Sequence, residues 1–267
     1  MSLTHPAIVT VAFGHATEKL DYTFTSFAEK NPGIPLHAFI LGTQLPQRRL
    51  PEIKYHLVEP VPDFSDPLRE VYFRRLELID RLEADWALLV DCYDVLCLQT
   101  LPAFSQLLGG CALAACVEHM GSRYVMGQGY TANFLNGGVF FWDIAASREM
   151  RREIVARGRS HFRTVADDQY CINEVIQTRY YDHLRILPCQ YNYRAYLKKR
   201  QRGWPTVTHL DGVMIYHNAS CMAEAKALGT VKAKAELPTL VPDRHPLRPR
   251  EQFWRKLRGR LRPHVIK

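Results

Sequence analysis

The sequence predicts an α/β domain built on a mainly parallel sheet flanked by helices. Three observations carry that expectation. The 267 residues are 47% hydrophobic and 23% charged, enough apolar surface for a core and too much for a disordered chain. Strand-length apolar runs alternate with segments of helical period through the first half of the chain. The run at residues 86–90 is apolar throughout and stops abruptly on Asp91, as a strand buried on both faces does.

Residues 7–13 form a largely apolar run closed by Gly14 and read as the first strand. Within 18–30, Leu20, Phe24, Phe27 and Ala28 fall at helical spacing. Residues 36–41 read as a second strand, followed by a loop through Pro46 and Pro51, a short strand at 55–58 and a breaker cluster at 59–67. Leu68, Val71, Tyr72, Leu76, Ile79 and Leu82 then recur mostly every three or four residues. They define one apolar face of a surface helix, with Arg69, Arg74, Arg75, Glu77 and Arg81 on its other faces. In sheets with such crossovers, ligands collect at the carboxyl ends of the strands, where Asp91 sits. Further on, 111–117 and 138–142 read as strands separated by a long Gly-containing loop. Residues 145–157 and 168–179 read as helices, and 184–187 and 213–216 as short apolar runs. Pro238, Pro242 and Pro246 mark a linker, which divides a domain at 1–236 from a segment at 237–267.

Net charge is +8, and from Arg244 to Lys267 nine Lys or Arg stand against Glu251 alone, so the basicity belongs to the tail and the body is neutral. A polyanion-binding body, and with it nucleic-acid binding, is not expected. No apolar stretch approaches the ~20 residues of a membrane-spanning helix. The opening Met-Ser-Leu-Thr-His-Pro has no basic patch followed by an apolar run, so no secretory leader is expected. The seven cysteines are scattered, mostly in apolar runs and without a CxxC pair, and read as small buried hydrophobes of a reducing, cytoplasmic compartment.

The chemistry-bearing stretch is Asp91-Cys92-Tyr93-Asp94 at the end of the apolar run. Two carboxylates leaving a buried strand need something cationic, and a hard divalent ion is the natural partner, holding carboxylates together with substrate phosphate oxygens. A solvated turn, in which Asp91 or Asp94 caps the next segment, would use the same residues. The pair alone does not choose. In Asn136-Gly137-Gly138 the glycines let another group approach the backbone and Asn136 could reach a sugar hydroxyl, although Asn-Gly is also a tight-turn signal. Asp167-Asp168-Gln169 opens a helix, where aspartate also serves as a cap. His217 ends the run at 213–216 as a packed histidine or a metal ligand.

The order of these motifs resembles the GT-A glycosyltransferases: a strand with an aspartate pair, Asn-Gly-Gly, Asp-Gln opening a helix, Leu187-Pro188 with Asn192, and a strand ending in histidine. It is similar to the branch containing glycogenin and the bacterial lipopolysaccharide galactosyltransferases. Locally it resembles the glycosyltransferase domain of procollagen lysyl hydroxylases, whose metal motif also runs Asp-x-Tyr-Asp. The resemblance implies a mixed, mainly parallel Rossmann-like sheet and a metal-dependent retaining enzyme moving a hexose from a nucleotide-sugar, a UDP-hexose, to a glycan or glycoconjugate hydroxyl. It implies Mn²⁺ or Mg²⁺ on Asp91, Asp94 and His217, and a nucleoside cradle at Ala12, Phe13 and Gly14 continuing toward His15. Asn136, Gly137, Gly138 and Asn192 would line the donor, Asp168 and Gln169 would lie near the reacting carbon or its hydroxyls, and Arg74 or Arg75 would either touch the donor phosphates or lie on a solvated helix face. The chain departs from that branch in two ways. The commoner motif is DxD, and the Lys-Pro-Trp that often follows the histidine is replaced by Asn218-Ala-Ser-Cys-Met, with Lys226 as a substitute phosphate contact.

In the tail, Phe253, Trp254, Leu257 and Leu261 line one side of a helix with arginines elsewhere, a pattern for an anionic membrane surface. That would suit a lipid-linked glycan acceptor and a peripheral place at the inner face of the membrane. Acceptor choice would lie in 118–135 and 193–205. Two alternatives use the same residues: a haloacid-dehalogenase-like Mg²⁺ phosphatase, whose motif needs an aspartate where Tyr93 stands, and a non-catalytic glycan- or membrane-binding protein on a transferase scaffold.

Overall fold

A computed structural model describes residues 5–14, 17, 20–60, 67–92, 95–117, 123–125, 129–131, 133–161, 167–193, 206–207, 212–217 and 237–238. The order of elements is β1 (Pro6–Phe13), α1 (Leu20–Lys30), β2 (Leu36–Leu41), β3 (Ile53–Val58), α2 (Pro67–Leu78), β4 (Trp86–Val90), β5 (Val95–Cys97), α3 (Phe104–Leu108) and β6 (Leu113–Val117). Then come β7 (Arg123–Val125), β8 (Gly129–Thr131), β9 (Leu135–Asp143), α4 (Arg148–His161), α5 (Asp167–Arg179), β10 (Leu184–Leu187), β11 (Thr206–Val207), β12 (Ile215–His217) and β13 (Leu237–Pro238).

Seven strands form the main sheet in the order β10-β6-β9-β4-β1-β2-β3. Every neighbouring pair is parallel except those of β9, which runs antiparallel to both β4 and β6. The expected mixed, mainly parallel sheet is therefore present. Alternate residues of each strand enter opposite cores, as period-2 geometry requires. Val9, Leu89, Phe140 and Trp142 pack with Phe73, Leu76, Ile154, Ile172 and Ile176 of α2, α4 and α5. Ile8, Leu88, Val90 and Phe141 pack on the other face with Leu20, Phe24, Phe27, Phe104 and Leu107 of α1 and α3. Both faces are covered, which is why these strands read as continuous apolar runs.

Some expectations need correcting. The helix expected to lie on the surface ends at Leu78, continues as a 3-10 turn over Ile79–Arg81, and buries two of its arginines, Arg74 and Arg75. Arg74 donates to the Glu59 carbonyl at 2.7 Å. The strand placed at 138–142 begins at Leu135, so Asn136-Gly137-Gly138 lies within β9 and is not a turn before it. The long loop after β6 contains the β7–β8 hairpin. Strands β5 and β12 pair with each other outside the main sheet, setting His217 against Val95. At the proposed boundary, β13 pairs with β11. The basic helix of the tail, His15, Asp94, Cys221 and Lys226 lie outside the described residues. No described helix is long and apolar enough to cross a membrane. Cys97, Cys116, Cys171 and Cys189 are buried, matching the reading as small buried side chains, whereas Cys92 and Cys111 are half-buried. Burial pushes the Cys97 thiol up to about 11.

Candidate active site

The reversal of β9 builds the site. In a parallel sheet the functional edge collects carboxyl ends, here those of β1, β4 and β10. Because β9 runs the other way, it brings its first residues, Asn136, Gly137 and Gly138, to that edge beside Asp91. The Asp91 amide donates to the Gly138 carbonyl at 3.0 Å, continuing the β4–β9 ladder by one residue. Pairing of β12 with β5 then delivers His217 to the same place from more than a hundred residues away.

Glycine is required at 138 by packing. A Cβ there would stand 2.1 Å from His217 Cε1 and 2.7 Å from Asp91 Oδ2, distances no side chain tolerates. At Gly137 a Cβ would meet Gln169 at 3.0 Å and the Arg75 guanidinium at 3.3 Å.

Helix α5 holds the start of β9 with amides. Gln169, Asn173 and Gln177 follow at i, i+4 and i+8 and share one face. The Gln169 side-chain oxygen accepts from the Gly137 amide at 2.6 Å and from Asn136 Nδ2 at 3.1 Å. Asn173 accepts from the Leu135 amide at 2.6 Å and donates to its carbonyl at 3.0 Å, pairing with it as a neighbouring strand would. Gln177 donates to the Asn133 carbonyl at 2.9 Å. Asn173 closes the stretch opened by Asp167 and was given no role from sequence, and Gln177 was not singled out, although their spacing after Gln169 on an otherwise buried helix was the available signal.

Arg75 is the centre of the site's charge. It is 4% exposed and donates to Asp91 Oδ1 at 2.8 Å, to Asp168 Oδ2 at 3.2 Å and to the Gly137 carbonyl at 2.9 Å. Asp168 is buried as well, so its carboxylate faces this cation and is more than a helix cap. Two carboxylates on buried elements demand such a partner, and helical periodicity alone assigned Arg75 to a solvated face.

The second oxygen of Asp91, Oδ2, faces His217 Nε2 at 3.6 Å. That is too long for a hydrogen bond. His217 is 2% exposed, and its Nδ1 lies 2.9 Å from Asn192 Oδ1. Asn192 Nδ2 in turn donates to Asn136 Oδ1 at 2.8 Å. Asp91, Asn136, Gly137, Gly138, Asp168, Gln169, Asn192 and His217 thus form one hydrogen-bonded and electrostatic cluster. Ala12, Phe13 and Gly14 close β1 at the same edge of the sheet, one strand over from β4. Gly14 adopts φ +54, which turns the chain sharply away from the strand end.

The class of fold follows from this architecture: a GT-A type, with a mixed sheet carrying its site where an antiparallel strand meets the carboxyl end of a central parallel one. Among solved structures the chain is similar to LgtC. An active-site mutant of LgtC matches with a TM-score of 0.57 at 16% identity over 80% of this chain and 88% of that one. The galactosyltransferase LgtC in complex with donor and acceptor sugar analogs matches with a TM-score of 0.56 at 18% identity over 88% and 97%. No protein-family model and no curated protein matches the sequence.

Proposed function

We propose that the chain is a metal-dependent, retaining glycosyltransferase that moves a hexose from a nucleotide-sugar, a UDP-hexose, to a glycan or glycoconjugate hydroxyl. One observation carries this reading: side chains far apart in sequence converge on one edge of a sheet of the LgtC type, with Asp91 Oδ2 and His217 Nε2 facing each other across 3.6 Å. A carboxylate oxygen and an imidazole nitrogen form a donor set that suits Mn²⁺, and Mg²⁺ through the oxygen. Among the described residues no group of three or more His, Cys, Asp or Glu stands ready for a metal ion. Asp94 and donor phosphate oxygens would complete the coordination.

When bound, the ion would neutralise charge developing on the departing diphosphate. The chain's own residues do the rest. Arg75 fixes Asp91 and Asp168 so that both carboxylates keep one geometry. Glycines at 137 and 138 let Gln169, Arg75, Asp91 and His217 close on the β9 backbone, and with Asn136 and Asn192 that stretch would line the donor. Asp168 and Gln169 would border the reacting carbon, and Ala12, Phe13 and Gly14 the nucleoside. The acceptor hydroxyl would attack from the face the diphosphate leaves, giving its proton to a departing phosphate oxygen. The basic tail would hold the enzyme at an anionic membrane bearing its acceptor.

The phosphatase alternative loses its footing, because Tyr93 occupies the position its second aspartate needs and the fold is of the transferase type. The non-catalytic alternative is separated by experiment. Titrating UDP with and without Mn²⁺ should show metal-dependent binding that D91N and H217A both abolish. A panel of nucleotide-sugars should reveal one that is hydrolysed slowly when Mn²⁺ is present. Binding of UDP unaffected by metal, or inertness toward the whole panel, would reject the enzyme reading.

A further inference from the structure

The polarity of the hydrogen bonds behind His217 can be assigned from the backbone outward. A main-chain N–H can only donate, which makes it a fixed reference for the side-chain amides around it. The Gly138 N–H points at Asn136 at 3.0 Å and therefore requires Oδ1 there. The Gly137 N–H likewise requires the oxygen of Gln169, so the Asn136 group facing that oxygen must be the amino group. Both references give Asn136 the same orientation. Its Oδ1 then demands a donor from Asn192, which turns Asn192 Nδ2 inward and presents Asn192 Oδ1 to His217. An oxygen there demands a proton on His217 Nδ1.

We propose that Asn136 and Asn192 are positioning residues that set the tautomer of His217: the glycine amides of β9, relayed through two asparagines, hold the proton on Nδ1 and present Nε2 as the acceptor nitrogen facing Asp91 Oδ2. The relay links the same strand that would line the donor to the imidazole proposed to hold the ion. Orienting partners behind a ligating histidine typically change metal affinity by roughly 10- to 100-fold. The inference rests on the transferase reading for its purpose, but not for its existence, since the tautomer is a property of the metal-free protein.

The test uses the full chain labelled with ¹⁵N-histidine, with His217 assigned by its absence in H217Q. Long-range ¹H–¹⁵N spectra are recorded without metal at alkaline pH, where imidazole is neutral. In the wild type, His217 should show a protonated, pyrrole-type Nδ1 and a pyridine-type Nε2. N192A should give a mixture of tautomers, and so should N136A, which acts one residue removed from the ring. N192D keeps an oxygen against Nδ1 and should retain the tautomer. Mn²⁺ affinity, followed by the electron paramagnetic resonance of free Mn²⁺, should fall about 10- to 100-fold in N192A. A wild-type Nε2-protonated ring overturns the proposal even if no variant folds, and so does an unchanged tautomer in both alanine variants. If the wild-type tautomer is as stated and Mn²⁺ does not bind at all, the relay stands and the metal-dependent reading of the site falls.

Discussion

Gly138 is the residue at which the site tolerates least. A methyl group there displaces His217 or Asp91, because the obstructing atoms are a buried ring at 2.1 Å and a carboxylate held by Arg75. We expect G138A to remain folded, because the clash is confined to the sheet edge, and to lose metal-dependent UDP binding by at least about a hundredfold, two decades being ~2.7 kcal/mol. Isothermal titration beside a circular dichroism spectrum checks both parts. Arg75 gives the opposite pattern, since its loss removes a buried cation that Asp168 and Asp91 share. R75M should cost about 3–5 kcal/mol of folding stability in urea. Adding D168N should recover part of that, because one buried negative charge is then gone.

A second residue-scale prediction concerns pH and lies away from the site. On β2 and β3, His37 Nδ1 and His56 Nε2 are 2.9 Å apart with their rings stacked, and the His56 ring also packs on Phe39. Burial first, then His56 and Lys54, lower the His37 pKa to about 4 from the ordinary 6.5. The folded state thus prefers the neutral ring more strongly than the unfolded chain does. The contribution is fully present above 6.5 and disappears as pH falls toward 4. The urea midpoint should drop across that window, and H37F should flatten the drop. An identical pH slope in the variant would exclude His37 as its source.

At the scale of elements, α2 and α4 meet through a glycine and an arginine. A Cβ on Gly158 would lie 2.1 Å from Phe73, a ring with no exposed surface and so no direction in which to retreat. Alanine improves helix propensity by about 1 kcal/mol, whereas overpacking of this kind costs about 1–3 kcal/mol. The ring cannot give way, so overpacking wins, and G158A should lower stability by up to about 2 kcal/mol, read from chemical denaturation. Arg151, one turn into α4, donates to the Leu76 and Ile144 carbonyls and to Asp80, each within 2.7 Å. It ties the Leu76 carbonyl, in the last turn of α2, to the Ile144 carbonyl that leads into α4. This pairing fixes α2, and with it the direction in which Arg75 enters the site.

For the whole molecule, the decisive feature is one reversed strand. Were β9 parallel to β4 and β6, its glycines would open onto the opposite edge of the sheet from Asp91. Antiparallel pairing aligns Val90 with Val139 and carries Gly138 to Asp91. The β5–β12 pair adds His217 from the opposite side of the chain's order. The site is therefore a product of topology as much as of residue type.

Much of this was legible in the residues. Runs such as 36–41 and 86–90 are apolar at every or nearly every position because both faces of their strands are covered, and burial writes itself directly into composition. Asp91 stood out because a carboxylate leaving a buried strand is costly unless something cationic holds it, whereas Asn136, Asp168, Asn192 and His217 were picked out by the order of motifs that resembles the GT-A glycosyltransferases. The burial of Arg75 between Asp91 and Asp168 was hidden, since helical periodicity reports which residues are apolar and not which charged one will be drawn inward by two distant carboxylates. Strand β5, and with it the partner of the strand ending in His217, was hidden because a three-residue pairing carries too few side chains to show a period. The sequence by itself determined the α/β class and the central strands, since those depend on local period and burial, and the order of its motifs named most polar groups at the candidate site. Only the tertiary structure decided the direction of β9, the burial of Arg75 and the meeting of His217 with Asp91, because these depend on contacts between residues that are remote in the chain and near in space.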